Sequence, residues 1–200
     1  MRFHHQAVIA LAVAPAVWLG VRALNGMLGA NPVEELLLTT GLWAFRFLLL
    51  SLAVTPLRQM TGWHGVIRFR RTFGLFAFFY ACLHLATYLL LDQGLALRFI
   101  LADVAKRPFI TAGTAALLLM FPLAATSTRG AIRRLGRRWQ VLHRLVYVSA
   151  AAAALHFIWK VKVIAGEPVY YGVALGLLLA FRVFRKVHAE SAIRRQPAQA

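Results

Sequence analysis

Residues Thr72–Leu91 read TFGLFAFFYACLHLATYLLL and contain no charged side chain. A helix needs about 20 apolar residues to cross the hydrocarbon core of a bilayer, so this stretch is long enough to span a membrane. A second uncharged stretch, Pro108–Thr128, has the same property. The two segments predict an integral membrane protein built from α-helices.

The composition of the whole chain agrees with a membrane location. Of its 200 residues, 60% are apolar and 14% are charged, whereas about a quarter of the residues in soluble domains are charged. A disordered basic tail would lack the apolar residues. A soluble nucleic-acid binder of this size could not bury them, so the net charge of +17 does not indicate a nucleic-acid partner. The single cysteine, Cys82, excludes a disulfide within the chain and a Cys-rich metal site.

Six stretches of the chain have the length and apolar character of a membrane helix. They cover residues 7–24, 36–57, 72–91, 108–128, 139–159 and 168–184. The first is interpreted as a retained helix, because it lacks a good small-residue cleavage pattern for a signal peptide. The connections are short, no nucleotide-binding G-x-G-x-x-G or P-loop pattern is present, and no internal repeat is evident. The sequence therefore predicts an all-α bundle of six transmembrane helices, a single domain over residues 1–200.

Positive charges are divided unequally between the two ends of the predicted bundle. Fifteen Lys and Arg residues lie at the termini and in the connections after the second and fourth spans. The opposite end holds six, namely Arg22, Arg98, Lys106, Arg107, Lys160 and Lys162. Because cytoplasmic loops are enriched in Lys and Arg, both termini are predicted to be cytoplasmic. The apolar segment Leu95–Val104 is expected to lie on the outer membrane interface.

Three histidines fall inside the predicted spans: His84 in the third, and His143 and His156 in the fifth. Each could simply hydrogen-bond a neighbouring helix. A proton relay would normally include Asp or Glu, and no acidic residue lies inside a span. Zinc transport would require carboxylates or more clustered ligands. Neutral imidazoles that face one another across a bundle suit haem, and the absence of C-x-x-C-H indicates a non-covalent b-type haem.

The depth of each histidine in the membrane suggests a pairing. A rise of 1.5 Å per residue places His84 roughly 20 Å and His156 roughly 27 Å from the cytoplasmic ends of their helices, but His143 only about 8 Å. We therefore expect His84 and His156 to be the axial pair of a haem toward the outer leaflet. His143 would belong to a second, inner haem whose other ligand is not evident. A regular helix would turn His143 about 140° away from His156, so a bulge, or ligation from different sides, would be needed.

Two other features could belong to a cofactor site. The small residues Ser149–Ala154 separate the two histidines of the fifth span and could either admit a porphyrin or let two helices pack closely. Arg46 lies inside the second span, where a buried guanidinium needs an anion. A haem propionate or a quinone is the partner predicted for Arg46.

Three stretches of the sequence carry a family resemblance: Arg70–Asp92, Lys106–Thr128 and Arg133–Lys160. The last contains the pattern W-x-x-L-H-x-L-x-Y at Trp139–Tyr147. They resemble the MsrQ family, also called YedZ, whose wider relatives are ferric reductase-like transmembrane domains, including the NADPH oxidases. The likeness extends over nearly the whole chain.

The resemblance implies a function that the spacing of the histidines does not. Members of the family are haem-binding subunits in the bacterial inner membrane, and some are associated with FMN. Such a subunit would pass electrons from the quinone pool or a cytoplasmic flavin reductase, through one b-type haem or two, to a periplasmic molybdenum-cofactor subunit that reduces methionine sulfoxide and so repairs oxidised proteins. The resemblance carries His84, His143 and His156 over as haem ligands.

The chain departs in two ways from the pattern of its wider relatives, the ferric reductase-like domains and NADPH oxidases. Its third span has one histidine instead of two, and the position 14 residues before His84 is Arg70. It also lacks a fused flavin and nucleotide domain, so an electron donor would be separate. Two alternatives stay open from the sequence: another quinone-linked cytochrome b subunit, or a haem-free transporter or assembly factor. The absence of acidic residues from the spans disfavours a proton-coupled transporter.

Overall fold

The computed structural model describes residues 2–160 and 166–194, with the side chains of residues 5–160, 166–188 and 191. Its regular elements in these ranges are helices. They are α1 (Arg2–Leu24), α2 (Pro32–Thr61), α3 (Phe69–Thr87), α4 (Leu97–Lys106), α5 (Pro108–Ala125), α6 (Arg129–Leu135), α7 (Arg137–Leu142), α8 (Leu145–Lys160) and α9 (Glu167–Arg194), with a 3-10 turn at His64–Arg68 and a π turn at Tyr88–Asp92.

Six helical segments in the described part are long and apolar enough to cross a membrane. They are His5–Leu24, Pro32–Thr61, His64–Asp92, Pro108–Ala125, Arg137–Lys160 and Glu167–His188. The prediction of an all-α chain with six candidate spans is thus confirmed. Lys162 and Arg195, two of the charges used to predict orientation, lie outside the described residues.

The second helix is longer than the apolar stretch that predicted it. The predicted span was 36–57, but α2 has 30 residues. Its start is set by Asn31, whose side chain accepts a hydrogen bond from the backbone N–H of Glu34, and by Pro32 at the first helical position. Its end is set by Gly62, which adopts a left-handed conformation with φ of 70°. Capping residues, which hydropathy does not register, therefore determine both ends.

The fifth predicted span is interrupted instead of continuous. Helix α7 ends at Leu142, and α8 begins at Leu145. His143 and Arg144 lie in the turn between them. The turn is bridged by backbone hydrogen bonds, from the N–H of His143 to the carbonyl of Trp139 at 2.9 Å and from the N–H of Tyr147 to the carbonyl of Arg144 at 3.0 Å. The regular helix assumed in estimating the rotation between His143 and His156 is therefore not present.

Helix α1 is attached to α3 through a tyrosine hydroxyl. Tyr80 is 1% exposed, and its hydroxyl donates to the carbonyl of Ala12 at 2.8 Å and accepts from the N–H of Ala16 at 3.0 Å. In a regular helix these two backbone groups would bond to each other. The hydroxyl is therefore inserted into the hydrogen-bond ladder of α1, beside Pro15, where the helix is already weakened by a missing N–H.

Two helical hairpins form the centre of the bundle. Helix α2 packs along α3, and α5 packs along α8, and these are the most extensive helix contacts in the described structure. A buried serine closes each pair, since Ser51 Oγ donates to the carbonyl of Arg70 and Ser149 Oγ donates to the carbonyl of Ala116. The hairpins bring the last turn of α3 and the end of α8 into the same region.

The predicted interfacial segment forms a separate short helix, α4. Its apolar side chains Leu97, Phe99 and Leu101 are all at least 60% exposed. Asp103 joins α4 to the bundle, because it accepts a hydrogen bond from Tyr88 and forms an ion pair with Arg107 at 3.1 Å. The location of α4 on the membrane surface stays a prediction.

Candidate functional site

The structure brings His84 of α3 and His156 of α8 together. The centres of their imidazole rings are 5.9 Å apart, and the ring planes make an angle of 83°. Both rings line a cavity of about 520 Å³ among α2, α3, α5 and α8. The walls of this cavity are mainly apolar and include Leu42, Phe45 and Leu117.

Each imidazole is held by a backbone carbonyl of the neighbouring helix. His84 Nδ1 lies 2.9 Å from the carbonyl oxygen of Leu37, and His156 Nδ1 lies 2.6 Å from that of Phe109. A carbonyl oxygen can only accept, so Nδ1 of each neutral ring is the protonated nitrogen and donates. Nε2 then keeps its lone pair. It has no hydrogen-bond partner among the described residues, which leaves it available as a ligand.

A glycine faces each ring across the helix contact. A Cβ atom built on Gly41 would lie 3.0 Å from His84 Nδ1, and one on Gly113 would lie 2.6 Å from His156 Nδ1. The two halves of the site are equivalent in sequence, because each residue of the α5–α8 half follows its α2–α3 counterpart by 72 positions. This repeated Gly–His spacing was missed in the sequence analysis. The signal that could have found it is a pair of short shared patterns, T-x-G-x-x-A at Thr39–Ala44 and Thr111–Ala116, and A-x-L-H at Ala81–His84 and Ala153–His156.

The geometry of the pair fits an axially ligated haem. Metal–imidazole bonds are about 2 Å long, so two imidazoles on opposite sides of one ion have ring centres about 6 Å apart. The measured 5.9 Å agrees with that arrangement. No group of three or more His, Cys, Asp or Glu side chains suited to a metal occurs in the described part of the chain. Two histidines in an apolar cavity therefore suit an iron whose other ligands come from a porphyrin.

The cavity has charged residues at the end where α8 finishes and α5 begins. Glu34, Asp92, Arg107 and Lys160 all line it. Arg107 is paired with Asp103, whereas Lys160 forms no ion pair with any residue that the structure describes. From the sequence, Arg107 and Lys160 were counted only as charges of the outer loops, and their position at the cavity was not predicted. Lys160 follows His156 by one helical turn, which is the signal that could have identified it.

His143 is separate from this pair and does not line the cavity. Its ring stacks on Trp139 with centres 3.9 Å apart, and its Nε2 lies 3.0 Å from the hydroxyl oxygen of Thr126. The equivalent position in the first hairpin, 72 residues earlier, is Arg71. The described structure therefore gives His143 no second histidine.

Comparison with known proteins agrees with this architecture. A family described as "Ferric reductase like transmembrane component" matches residues 40–154, which run from α2 into α8. A protein of Brucella anthropi named "Protein-methionine-sulfoxide reductase heme-binding subunit MsrQ" is 50% identical over 88% of this chain and 80% of its own length. The chain belongs to the MsrQ family. A Rhodospirillum rubrum protein of the same name is 52% identical over 88% of this chain and 86% of its own length. No solved structure matches the chain.

In this MsrQ-family chain, Arg46 was predicted to bind a haem propionate or a quinone. In the structure it contacts Tyr171, Glu167 and Trp43 instead. Its Nε donates to the hydroxyl of Tyr171 at 2.7 Å, and its guanidinium lies 3.7 Å from a carboxylate oxygen of Glu167. The guanidinium also lies over the ring of Trp43, 4.9 Å from its centre. Arg46 is not among the residues that line the cavity. In the structure it joins α2 to the start of α9.

The small residues of α8 in this MsrQ-family chain are divided between a helix contact and the wall of the cavity. Ser149 and Ala150 have no exposed surface, and Ser149 bonds to α5, so this part allows close helix packing. Ala153 lines the cavity, one turn before His156. The stretch thus brings α5 and α8 together and also leaves space beside the histidine.

Proposed function

We propose that this chain is the membrane subunit of a methionine sulfoxide reductase system and binds a b-type haem between His84 and His156 for electron transfer. The observation that carries the proposal is the arrangement of the two imidazoles, which lie 5.9 Å apart in an apolar cavity with Nε2 of each ring free. The printed names of the MsrQ relatives, which describe a haem-binding subunit, support the same cofactor.

The residues of the site would bind and tune the haem, which itself supplies one-electron chemistry. His84 and His156 would hold the iron through Nε2. The carbonyls of Leu37 and Phe109 would keep the proton on Nδ1 of each ring and make the imidazoles better electron donors. The apolar walls would exclude water and lower the local dielectric constant, which influences the reduction potential.

The direction of electron flow follows from the proposed orientation. With both termini cytoplasmic, the charged end of the cavity faces the periplasm, where the partner would be a molybdenum-cofactor methionine sulfoxide reductase subunit. The donor would be the quinone pool or a cytoplasmic flavin reductase, and FMN is a further cofactor that the family resemblance suggests. The protein would reside in the bacterial inner membrane as a single domain and would support repair of oxidised periplasmic proteins.

Two further residues, His143 and Arg46, are proposed cofactor contacts outside the cavity of the His84–His156 pair. His143 is the candidate ligand for a second, inner haem, and Arg46 is the candidate partner of a propionate or quinone. To bind a cofactor, His143 would exchange its contact with Thr126, and Arg46 its ion pair with Glu167.

The first test is a haem measurement on the purified protein in detergent. Reduced-minus-oxidised spectra should show a b-type signal, and His84→Ala and His156→Ala should each remove that haem. His64→Ala is the matched control, because His64 is exposed and lies in a turn. The pairing would be wrong if His156→Ala kept its full haem while His143→Ala lost it.

The second test concerns the partner. Protein with reduced haem should be reoxidised by a periplasmic molybdenum sulfoxide reductase in the presence of methionine sulfoxide. Reoxidation by a hydrogenase or formate dehydrogenase subunit, and not by the sulfoxide reductase, would assign the chain to another cytochrome b system.

A further inference from the structure

We propose that Gly41 and Gly113 are positioning residues that allow the two axial imidazoles to reach the carbonyls of Leu37 and Phe109. This inference rests on the proposed haem site and adds two residues to it. Neither glycine would touch the iron. Each would act through the histidine that it faces.

The helical spacing explains why glycine is needed at these two positions. Leu37 precedes Gly41 by four residues, and Phe109 precedes Gly113 by four. In an α-helix the carbonyl of one residue points toward the N–H of the residue four positions later. The side chain at that later position therefore shields the carbonyl from a neighbouring helix. A glycine there leaves the oxygen open to a second donor, which in both cases is a histidine Nδ1–H.

The clearance at each glycine is too small for a side chain. A Cβ atom on Gly41 would lie 3.0 Å from Nδ1 and 3.1 Å from Cε1 of His84. On Gly113 it would lie 2.6 Å from Nδ1 and 2.9 Å from Cε1 of His156. Carbon atoms in contact are normally about 3.5–4.0 Å apart. An alanine would thus push the ring away from its carbonyl, and the displacement would be larger at Gly113.

The repetition of the arrangement argues against coincidence. Glycine, carbonyl and histidine recur together with the same offset of 72 residues in two different hairpins, and so do a threonine two residues before each glycine and an alanine three residues after it. Other glycines in the spans do not face a histidine. A Cβ on Gly74 would lie 3.4 Å from Ser51 Oγ, and one on Gly176 would have no atom within 4 Å.

The experiment compares Gly113→Ala, Gly41→Ala and the control Gly176→Ala in the full-length protein in detergent. Gly113→Ala should weaken haem binding by about 10- to 100-fold, the usual effect of disturbing a residue that supports a metal ligand. Gly41→Ala should keep haem but shift its reduction potential and its low-spin ferric EPR spectrum, which reports the relative orientation of the imidazole planes. Gly176→Ala should match wild type. Alanine is a better helix former than glycine, so a loss of haem would not reflect a weaker helix.

The possible outcomes separate this inference from the proposed function. If His84→Ala and His156→Ala lose haem while both glycine variants keep the wild-type affinity, potential and EPR spectrum, the positioning role is refuted and the haem site stands. If Gly176→Ala shifts these properties as much as Gly41→Ala does, the effect is not local and the positioning role is again refuted. If the two histidine variants retain haem, the haem assignment fails and the positioning role fails with it.

Discussion

At the scale of single residues, the chemistry of the site depends on which nitrogen of each imidazole carries the proton. His84 and His156 both present Nδ1 to a carbonyl oxygen, so the same tautomer is selected twice. The ring nitrogen that faces the cavity is then a neutral donor of electrons. The proposed metal ligands are formed in this way, and the only acidic residues among those that line the described cavity are Glu34 and Asp92 at its charged end.

Lys160 should influence the reduction potential of a haem held by this pair. It lines the cavity, lies within electrostatic range of both imidazoles and has no ion-pair partner in the described ranges. A nearby positive charge favours the reduced form, so Lys160→Gln should lower the midpoint potential. The shift should decrease at high salt, because Lys160 is exposed.

A potentiometric titration at two ionic strengths measures this effect. Lys106→Gln is the control, since Lys106 is an exposed cation at the same end of the molecule that does not line the cavity. An equal shift in both variants would show that Lys160 acts only through the general surface charge.

The hydroxyl of Tyr80 should contribute to stability without affecting the haem. Tyr80→Phe removes the bridge between the N–H of Ala16 and the carbonyl of Ala12, and should lower the free energy of unfolding by about 1 kcal/mol. Thermal unfolding in detergent, followed by circular dichroism, measures the loss. Tyr170→Phe, at a position that is 73% exposed, should be neutral. Haem loss in Tyr80→Phe at unchanged stability would contradict this assignment.

At the scale of helices, the site depends on how closely each hairpin closes. Ser149 of α8 is fully buried against α5, and the same helix presents His156 two turns further on. The contact at Ser149 therefore sets the distance between His156 and the carbonyl of Phe109. His143 lies in the turn between α7 and α8 and not within a helix. Its ring contacts Trp139 and Thr126, so it is not held at the cavity as His156 is.

Enlarging Ser149 should therefore disturb both stability and haem binding. Ser149→Leu adds volume where none is available and should cost about 1–3 kcal/mol of unfolding free energy. Separation of α8 from α5 should also reduce the haem content. Val148→Leu is the control, because Val148 is next to Ser149 in the sequence but its side chain is 55% exposed. Unfolding temperature and haem-to-protein ratio are the measurements, and equal effects in the two variants would contradict the role given to this contact.

At the scale of the whole molecule, the distribution of charged residues and of exposed apolar side chains is that of a membrane protein. Large apolar side chains such as Leu118, Phe121 and Leu177 are more than 60% exposed on the membrane-length helices. Such surfaces would be unfavourable in water but suit lipid. The excess of Lys and Arg at one end gives the bundle its predicted direction.

The orientation can be tested with reporter fusions. A fluorescent protein joined after Ala200 should fluoresce, and alkaline phosphatase joined there should be inactive, because the C-terminus is expected in the cytoplasm. Alkaline phosphatase inserted in the connection between α3 and α4, near Gly94, should be active. The reverse pattern would place the charged end of the cavity in the cytoplasm, and the proposed route to a periplasmic partner would be wrong.

The number and approximate positions of the six spans were predictable from the sequence. So was the location of His84, His143 and His156 inside them, which made these residues candidate ligands. The length of an apolar stretch and the placement of Lys and Arg can be read directly from the sequence. The thickness of the bilayer sets the length of a span, and the Lys and Arg of the loops indicate its direction. Helix ends were less predictable. Those of α2 depend on Asn31 and Gly62, which lie outside the apolar stretch.

Only the tertiary structure decided which groups meet. The free nitrogens of His84 and His156, the glycines that face them and the partners of Arg46 depend on how each helix is rotated and where it crosses its neighbour. A shift of one residue turns a helical side chain by about 100°, so spacing along one helix cannot specify a contact with another. The chain alone determined that histidines lie at membrane depth, and the packing of the two hairpins determined that two of them face each other.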